Sequence, residues 1–127
     1  MKIVGAIARY LLGAAFLFFG SNLLFNFLKG QLPNGPAATF VGLLVTFHYT
    51  YVIGTLMIVS GILFLVNRFV ALGLVLLGPI LVNILMFHIL ILTAGFQAGV
   101  VFTLLWFLVF WQHRAAFAGI FRARLEH

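Results

Sequence analysis

An all-α integral membrane fold, a four-helix bundle, is predicted by three features of this 127-residue chain. Its composition is 65% hydrophobic and 6% charged, with a mean hydropathy of +1.29; a soluble domain carries roughly 25% charged residues. Apolar runs long enough to cross a bilayer, which takes roughly 20 residues, alternate with short polar breaks. The cations gather on one side of the topology those runs imply. So few charges cannot cover a globular surface, which excludes a cytosolic enzyme, a nucleic-acid binder and a disordered tail. The pI near 11.0 comes from seven Lys/Arg against one acid; nucleic-acid binding needs a clustered basic face on a soluble module. With no cysteine, disulfides, thiol redox chemistry, Cys-ligated metals and covalent c-type haem are excluded as well.

The first span runs from about Ile3 to Leu28, too long and unbroken for a signal peptide, whose apolar core is roughly 7–15 residues. Lys29 to Pro36 is a turn-rich breaker. The apolar stretch Ala37 to Val66 exceeds one simple span. Ala37 to Phe47 therefore reads as a short interfacial or re-entrant segment, with His48-Tyr49-Thr50-Tyr51 at headgroup depth, where aromatic residues with polar tips are favoured. The second span covers about 51–66. The Asn67-Arg68 turn is so short that the third span, about 69–92, packs antiparallel to the second. Thr93-Ala94-Gly95 leads into the fourth, about 96–111, and 112–124 forms a basic amphipathic tail. Residues 1–124 thus make a single transmembrane domain. Leu125-Glu126-His127 has the sequence of the start of a vector-encoded polyhistidine tail and is set apart from it.

Four spans put both termini and the Asn67-Arg68 turn on one side, with Lys2, Arg9, Arg68, Arg114, Arg122 and Arg124; the other side holds Lys29. The positive-inside rule makes the six-cation side cytoplasmic in a plasma (inner) membrane. Arg9 lies within the first span but only about 10 Å from its start at 1.5 Å per residue. Snorkelling to the interface accounts for it; a site for an anion or a lipid phosphate is the alternative. Arg114, Arg122 and Arg124 with Phe117, Ile120 and Phe121 suit a tail lying on the cytoplasmic leaflet.

Helix association in lipid relies on close approach at small residues. Ala6, Gly13 and Gly20 recur every seven residues on the first span, and Gly54 and Gly61 do so on the second. Pro79 removes a hydrogen bond to the Val75 carbonyl in the third span, with Gly73 and Gly78 easing contacts around it.

Polar groups inside apolar spans are costly unless paired, so they mark candidate chemistry. Asn22 and Asn26 lie four apart, on one helical face. With His48, Tyr49, Tyr51, His88 and Gln97 they converge on the non-cytoplasmic side, as a polar-mouthed pocket for a quinone head or a lipid headgroup. Histidine and tyrosine can donate to quinone carbonyls, and histidine can relay the accompanying proton. The competing reading is that these groups satisfy one another and the helix ends. Asn83 is a deeper member of the candidate ligand-binding set. Five residues from His88, it sits about 500° away around an α-helix, on a different face. His48 and His88 as a b-type haem pair have no further signature in support.

No HExxH, GxSxG, Walker loop or Gly-rich dinucleotide turn is present, and no catalytic residue or metal ligand set is assigned. A compact four-helix multidrug exporter needs a membrane acid that this chain lacks. If Glu126 is foreign, carboxylate acid/base catalysis is impossible within the chain.

The segment from Arg9 to Gly20, followed by Asn22 and Asn26-Phe27, resembles the opening of DoxX-like membrane proteins. So do Gly61 to Val70 and, most specifically, Gly78-Pro79-Ile80-Leu81-Val82-Asn83-Ile84-Leu85-Met86-Phe87-His88. The resemblance covers about Arg9 to Arg114. It implies a four-helix bundle with an extra segment before the second span, associated with redox systems such as thiosulfate:quinone oxidoreductase. Similar proteins often carry ionisable residues where this chain has Leu23, Met57 and Leu92. The expected function is an accessory, quinone- or lipid-binding subunit of a membrane redox system rather than an independent enzyme. The alternative is a non-redox binding or trafficking module that contacts lipid or another membrane protein, self-association included.

Overall fold

A computed structural model describes residues 2–25, 35–91, 96–121 and 123. Among them every regular element is helical: α1 (Lys2–Phe25), α2 (Pro36–Thr46), α3 (Tyr49–Val66), α4 (Val70–Met86) continued by a π-helical turn (Phe87–Ile91), α5 (Phe96–Gln112) and a 3-10 helix (Arg114–Phe121). Three helical stretches, Lys2–Phe25, Tyr49–Val66 and Val70–Ile91, are long and apolar enough to cross a membrane. A fourth is reached if α5 is taken together with the 3-10 helix, from which it is bent by 84°. Alone, the 17 residues of α5 extend roughly 25 Å.

Side chains on the outer surface are apolar on every long helix, including Leu11, Phe18, Val59, Ile62, Leu72, Val82, Leu104 and Phe107. A water-facing surface does not look like this; it is the surface of a protein embedded in a membrane.

Local signals account for the boundaries. Pro36 opens α2, where its fixed φ suits the first turn and its missing N–H would be unbonded anyway. Asn67 ends α3 in the left-handed conformation, which asparagine tolerates, and the Arg68 N–H turns back to the Leu63 carbonyl. Phe69, also left-handed, leads directly into α4, so the turn is as tight as its length demands.

α1 packs against α3 and α5, and α4 against α3 and α5. Each of these neighbours runs antiparallel, as the contacts between glycines and side chains show: Gly13 meets Gly61 and Gly20 meets Gly54, Phe64 covers Gly73, Trp106 covers Gly78, and Leu85 reaches Gly99. At the centre Leu12, Phe16, Phe64, Leu74, Leu77 and Val109 are fully enclosed. Phe16 meets Phe102 edge-on, with ring centroids 5.2 Å apart, and joins α1 to α5. α4 runs on through Pro79, and the Trp106 indole N–H donates to the Leu74 carbonyl at 3.0 Å, one residue from the carbonyl that the proline leaves without its N–H.

All four described Lys and Arg, Lys2, Arg9, Arg68 and Arg114, belong to one end of the molecule, where α1 begins, α3 turns into α4 and α5 finishes. Arg9 does not reach an exposed interface position as expected. It is 7% exposed, its guanidinium donates to the Phe64 carbonyl in the last turn of α3, and it lies over the Tyr10 ring at 4.3 Å. The partial negative charge at a helix C-terminus supplies the attraction.

After α5, Phe117 is buried against Phe110, with centroids 5.0 Å apart. The Arg114 guanidinium covers Trp111 and donates to its carbonyl. Arg122, Arg124 and the Phe121 side chain lie outside the described residues, as do Lys29, Leu92 and the 125–127 tripeptide.

Candidate functional site

At the end opposite the described cations, α1, α2, α3 and α4 border a half-open cavity of about 540 Å³. Each element contributes one face. α1 supplies Phe19, Asn22 and Leu23; α2 supplies Phe40, Val41 and Leu44; α3 supplies Tyr49, Thr50, Ile53 and Met57. The rest comes from Ile80, Asn83 and Ile84 of α4 with Phe87 and His88 of the π-helical turn. The walls are mainly aliphatic and aromatic, and the polar groups are an amide pair, a phenol, a hydroxyl and an imidazole. α2 is pinned across this end by the Phe40 and Phe87 rings, 5.7 Å apart.

Of the residues singled out in the sequence, Asn22, Tyr49, Asn83 and His88 come together on this cavity. His48 and Tyr51 do not. His48 is the left-handed residue linking α2 to α3, with φ 64°, and its exposed ring stacks on Tyr51 at 5.1 Å. Gln97 is exposed at the start of α5 and also lies off the cavity. Asn26 falls outside the described residues. His48 and His88 therefore do not line a common space.

Asn83 and His88, expected on different faces, both line the cavity. With Ile80, Ile84 and Phe87 they recur at i, i+3, i+4, i+7 and i+8, the stripe of a single helical face, and they stand at its two edges. The helix is still α-bonded here, with N–H groups at the Phe87 cap returning to the Asn83 and Ile84 carbonyls; the π-helical turn follows over Phe87–Ile91. Asn83 is held by donation from its Nδ2 to the Pro79 carbonyl at 2.9 Å. His88 meets Phe87 edge-on, at 5.3 Å between centroids.

Thr50 and Met57 are cavity residues that the polar-residue reading passed over. Both are buried, and with Ile53 they repeat at i, i+3 and i+7, the spacing of one helical face. That spacing is visible in the sequence; what the face encloses is not. An aromatic and aliphatic chamber with a few convergent polar groups is the usual form of a small-molecule site, and roughly 300–1,000 Å³ is the usual range. Chemically it can solvate an apolar ring or chain and accept or donate hydrogen bonds at Tyr49, Thr50, Asn83 and His88. Comparison with protein families, with curated proteins and with solved structures finds no match.

Proposed function

We propose that the chain is a DoxX-like four-helix bundle of the plasma (inner) membrane that holds a quinone or lipid headgroup and serves as an accessory subunit of a membrane redox system. The cavity of about 540 Å³ carries this reading, because its mainly apolar lining includes Tyr49, Thr50, Asn83 and His88. A quinone needs an apolar slot for its ring and donors for its carbonyls. Tyr49 and Thr50 hydroxyls and the His88 ring provide donors, and an imidazole can pass the proton that follows reduction. Leu23 and Met57, at positions where the resemblance expects ionisable side chains, both line the cavity. Their aliphatic character favours binding over proton transfer through the wall.

In this reading both termini are cytoplasmic, since the cationic end faces inward. α2 is the interfacial or re-entrant segment that covers the cavity mouth. The 84° bend after α5 lets the tail lie along the cytoplasmic leaflet.

The test is to extract and count the small molecules held by gently purified protein. Near-stoichiometric quinone is expected. His88→Ala should lower bound quinone roughly three- to tenfold, the scale of one neutral hydrogen bond, with helix content retained. Unchanged quinone in the variant, or bulk phospholipid alone in the wild type, removes the redox reading and leaves a module that binds lipid or a membrane partner.

A further inference from the structure

A second cavity, of about 400 Å³, lies at the cationic end and is lined by Lys2, Ala6, Arg9, Asn67, Gln112 and His113. We propose that it binds a phosphate group, carried by an anionic lipid headgroup or present as free phosphate. The site is separate from the headgroup cavity, at the other end of the molecule, and does not depend on the quinone reading.

Arg9 is 93% buried as a residue, about two turns inside α1, and a guanidinium carries a fixed charge. A buried cation calls for an anion, and no acidic side chain lies among the described residues; the whole chain contains one, Glu126. The partners Arg9 has, the Phe64 carbonyl and the face of Tyr10, offer only partial negative charge. One carbonyl also engages only part of a five-donor fork.

The surroundings favour phosphate. Lys2, Ala6 and Arg9 fall at i, i+4 and i+7, on one face of α1, so an ammonium and a guanidinium border the same space with only a methyl between them. Two of the carbonyls at the end of α3, which would repel an anion, are already bonded: Leu63 accepts from the Arg68 N–H, and Phe64 accepts from the Asn67 N–H and from Arg9. His113 donates through Nδ1 to the Val109 carbonyl at 3.0 Å, which places its Nε2 on the far side of the ring. The Gln112 side chain fills the space over Gly5, so that the end of α5 lies directly against α1. Phosphate oxygens match the arginine fork, and phosphate is the anion that a membrane surface presents at this level.

The experiment uses the full chain, delipidated in a neutral maltoside detergent. Phosphatidylglycerol, diacylglycerol with the same acyl chains, and inorganic phosphate are titrated in turn, and binding is read by native mass spectrometry. One phosphatidylglycerol per chain is expected, with diacylglycerol at least tenfold weaker. Lys2→Gln, at the exposed rim, should weaken phosphatidylglycerol about fivefold, the effect of one cation near a membrane surface. Arg9→Lys keeps the charge but loses the fork, and should weaken it roughly tenfold. Should Arg9→Lys fail to fold, Lys2→Gln decides. Displacement of the lipid by inorganic phosphate identifies a site that also takes free phosphate; lipid binding indifferent to phosphate identifies the headgroup as the source. Equal affinity for diacylglycerol, or no loss in either variant, overturns the proposal. So does a gain in affinity in Glu126→Gln, which would make Glu126 the resident counter-ion.

Discussion

Gly13 and Gly61 meet backbone to backbone across the α1–α3 contact. A Cβ on Gly13 would stand 2.9 Å from the Gly61 carbonyl oxygen, and one on Gly61 would stand 2.7 Å from that of Gly13. Seven residues on, Gly20 and Gly54 repeat the arrangement at 2.8 and 2.9 Å. Glycine hydrogens can face carbonyl oxygens at such a separation, a weak attraction typical of close helix pairs, and no other residue fits.

Any side chain in this seam must therefore push two backbones apart. Gly61→Ala is expected to lower stability by about 1–3 kcal/mol, the usual cost of overpacking. Gly42→Ala meets nothing within 4 Å and should be neutral or stabilising by up to about 1 kcal/mol, from helix propensity alone. Unfolding of both variants in mixed micelles distinguishes them; equal stability would remove the seam as a determinant of the fold.

Trp106 ties α5 to α4 by lying over Gly78, stacking on Phe110 with centroids 5.4 Å apart and donating to the Leu74 carbonyl. Trp106→Phe keeps an aromatic ring but loses the donor. The expected loss is about 1 kcal/mol, within the range measured for hydrogen bonds between membrane helices. Trp106→Ala should cost several times more, because it also empties the space. Thermal unfolding in detergent followed by helix content reads both, and a Phe variant as damaging as the Ala variant would contradict this division.

The absence of cysteine makes topology directly measurable. Arg68→Cys and Gln97→Cys introduce single thiols at exposed positions at opposite ends of the molecule. On intact cells a membrane-impermeant maleimide should label Gln97→Cys, and Arg68→Cys only after permeabilisation. The reverse pattern would invert the orientation drawn from the cations.

Much of the architecture could be read directly from residue order. The breaks at Pro36, Asn67 and Arg68 separate the helices where the structure separates them, and the seven-residue recurrence of glycine on two spans anticipates the seam at Gly13 and Gly61. Periodicity and turn chemistry are local, and in lipid the backbone must satisfy itself within each helix, so local signals determine the elements. The concentration of cations at one end is equally a matter of sequence order once the helices alternate in direction.

Contacts between segments distant in the chain were decided by the tertiary structure. Arg9 is buried because the end of α3, 55 residues away, offers it a carbonyl, which no spacing around Arg9 records. His48 and Tyr51 pair with each other outside the cavity, whereas Thr50, between them, is buried and lines it. Asn83 and His88 stand at the two edges of an ordinary helical face, with Ile80, Ile84 and Phe87 between them, and become walls of one cavity because α2 packs across that face, Phe40 against Phe87. Helical periodicity follows from the chain's own hydrogen bonds, so it is written in the sequence. What such a face encloses depends on what packs alongside, and that exists only once the helices have assembled.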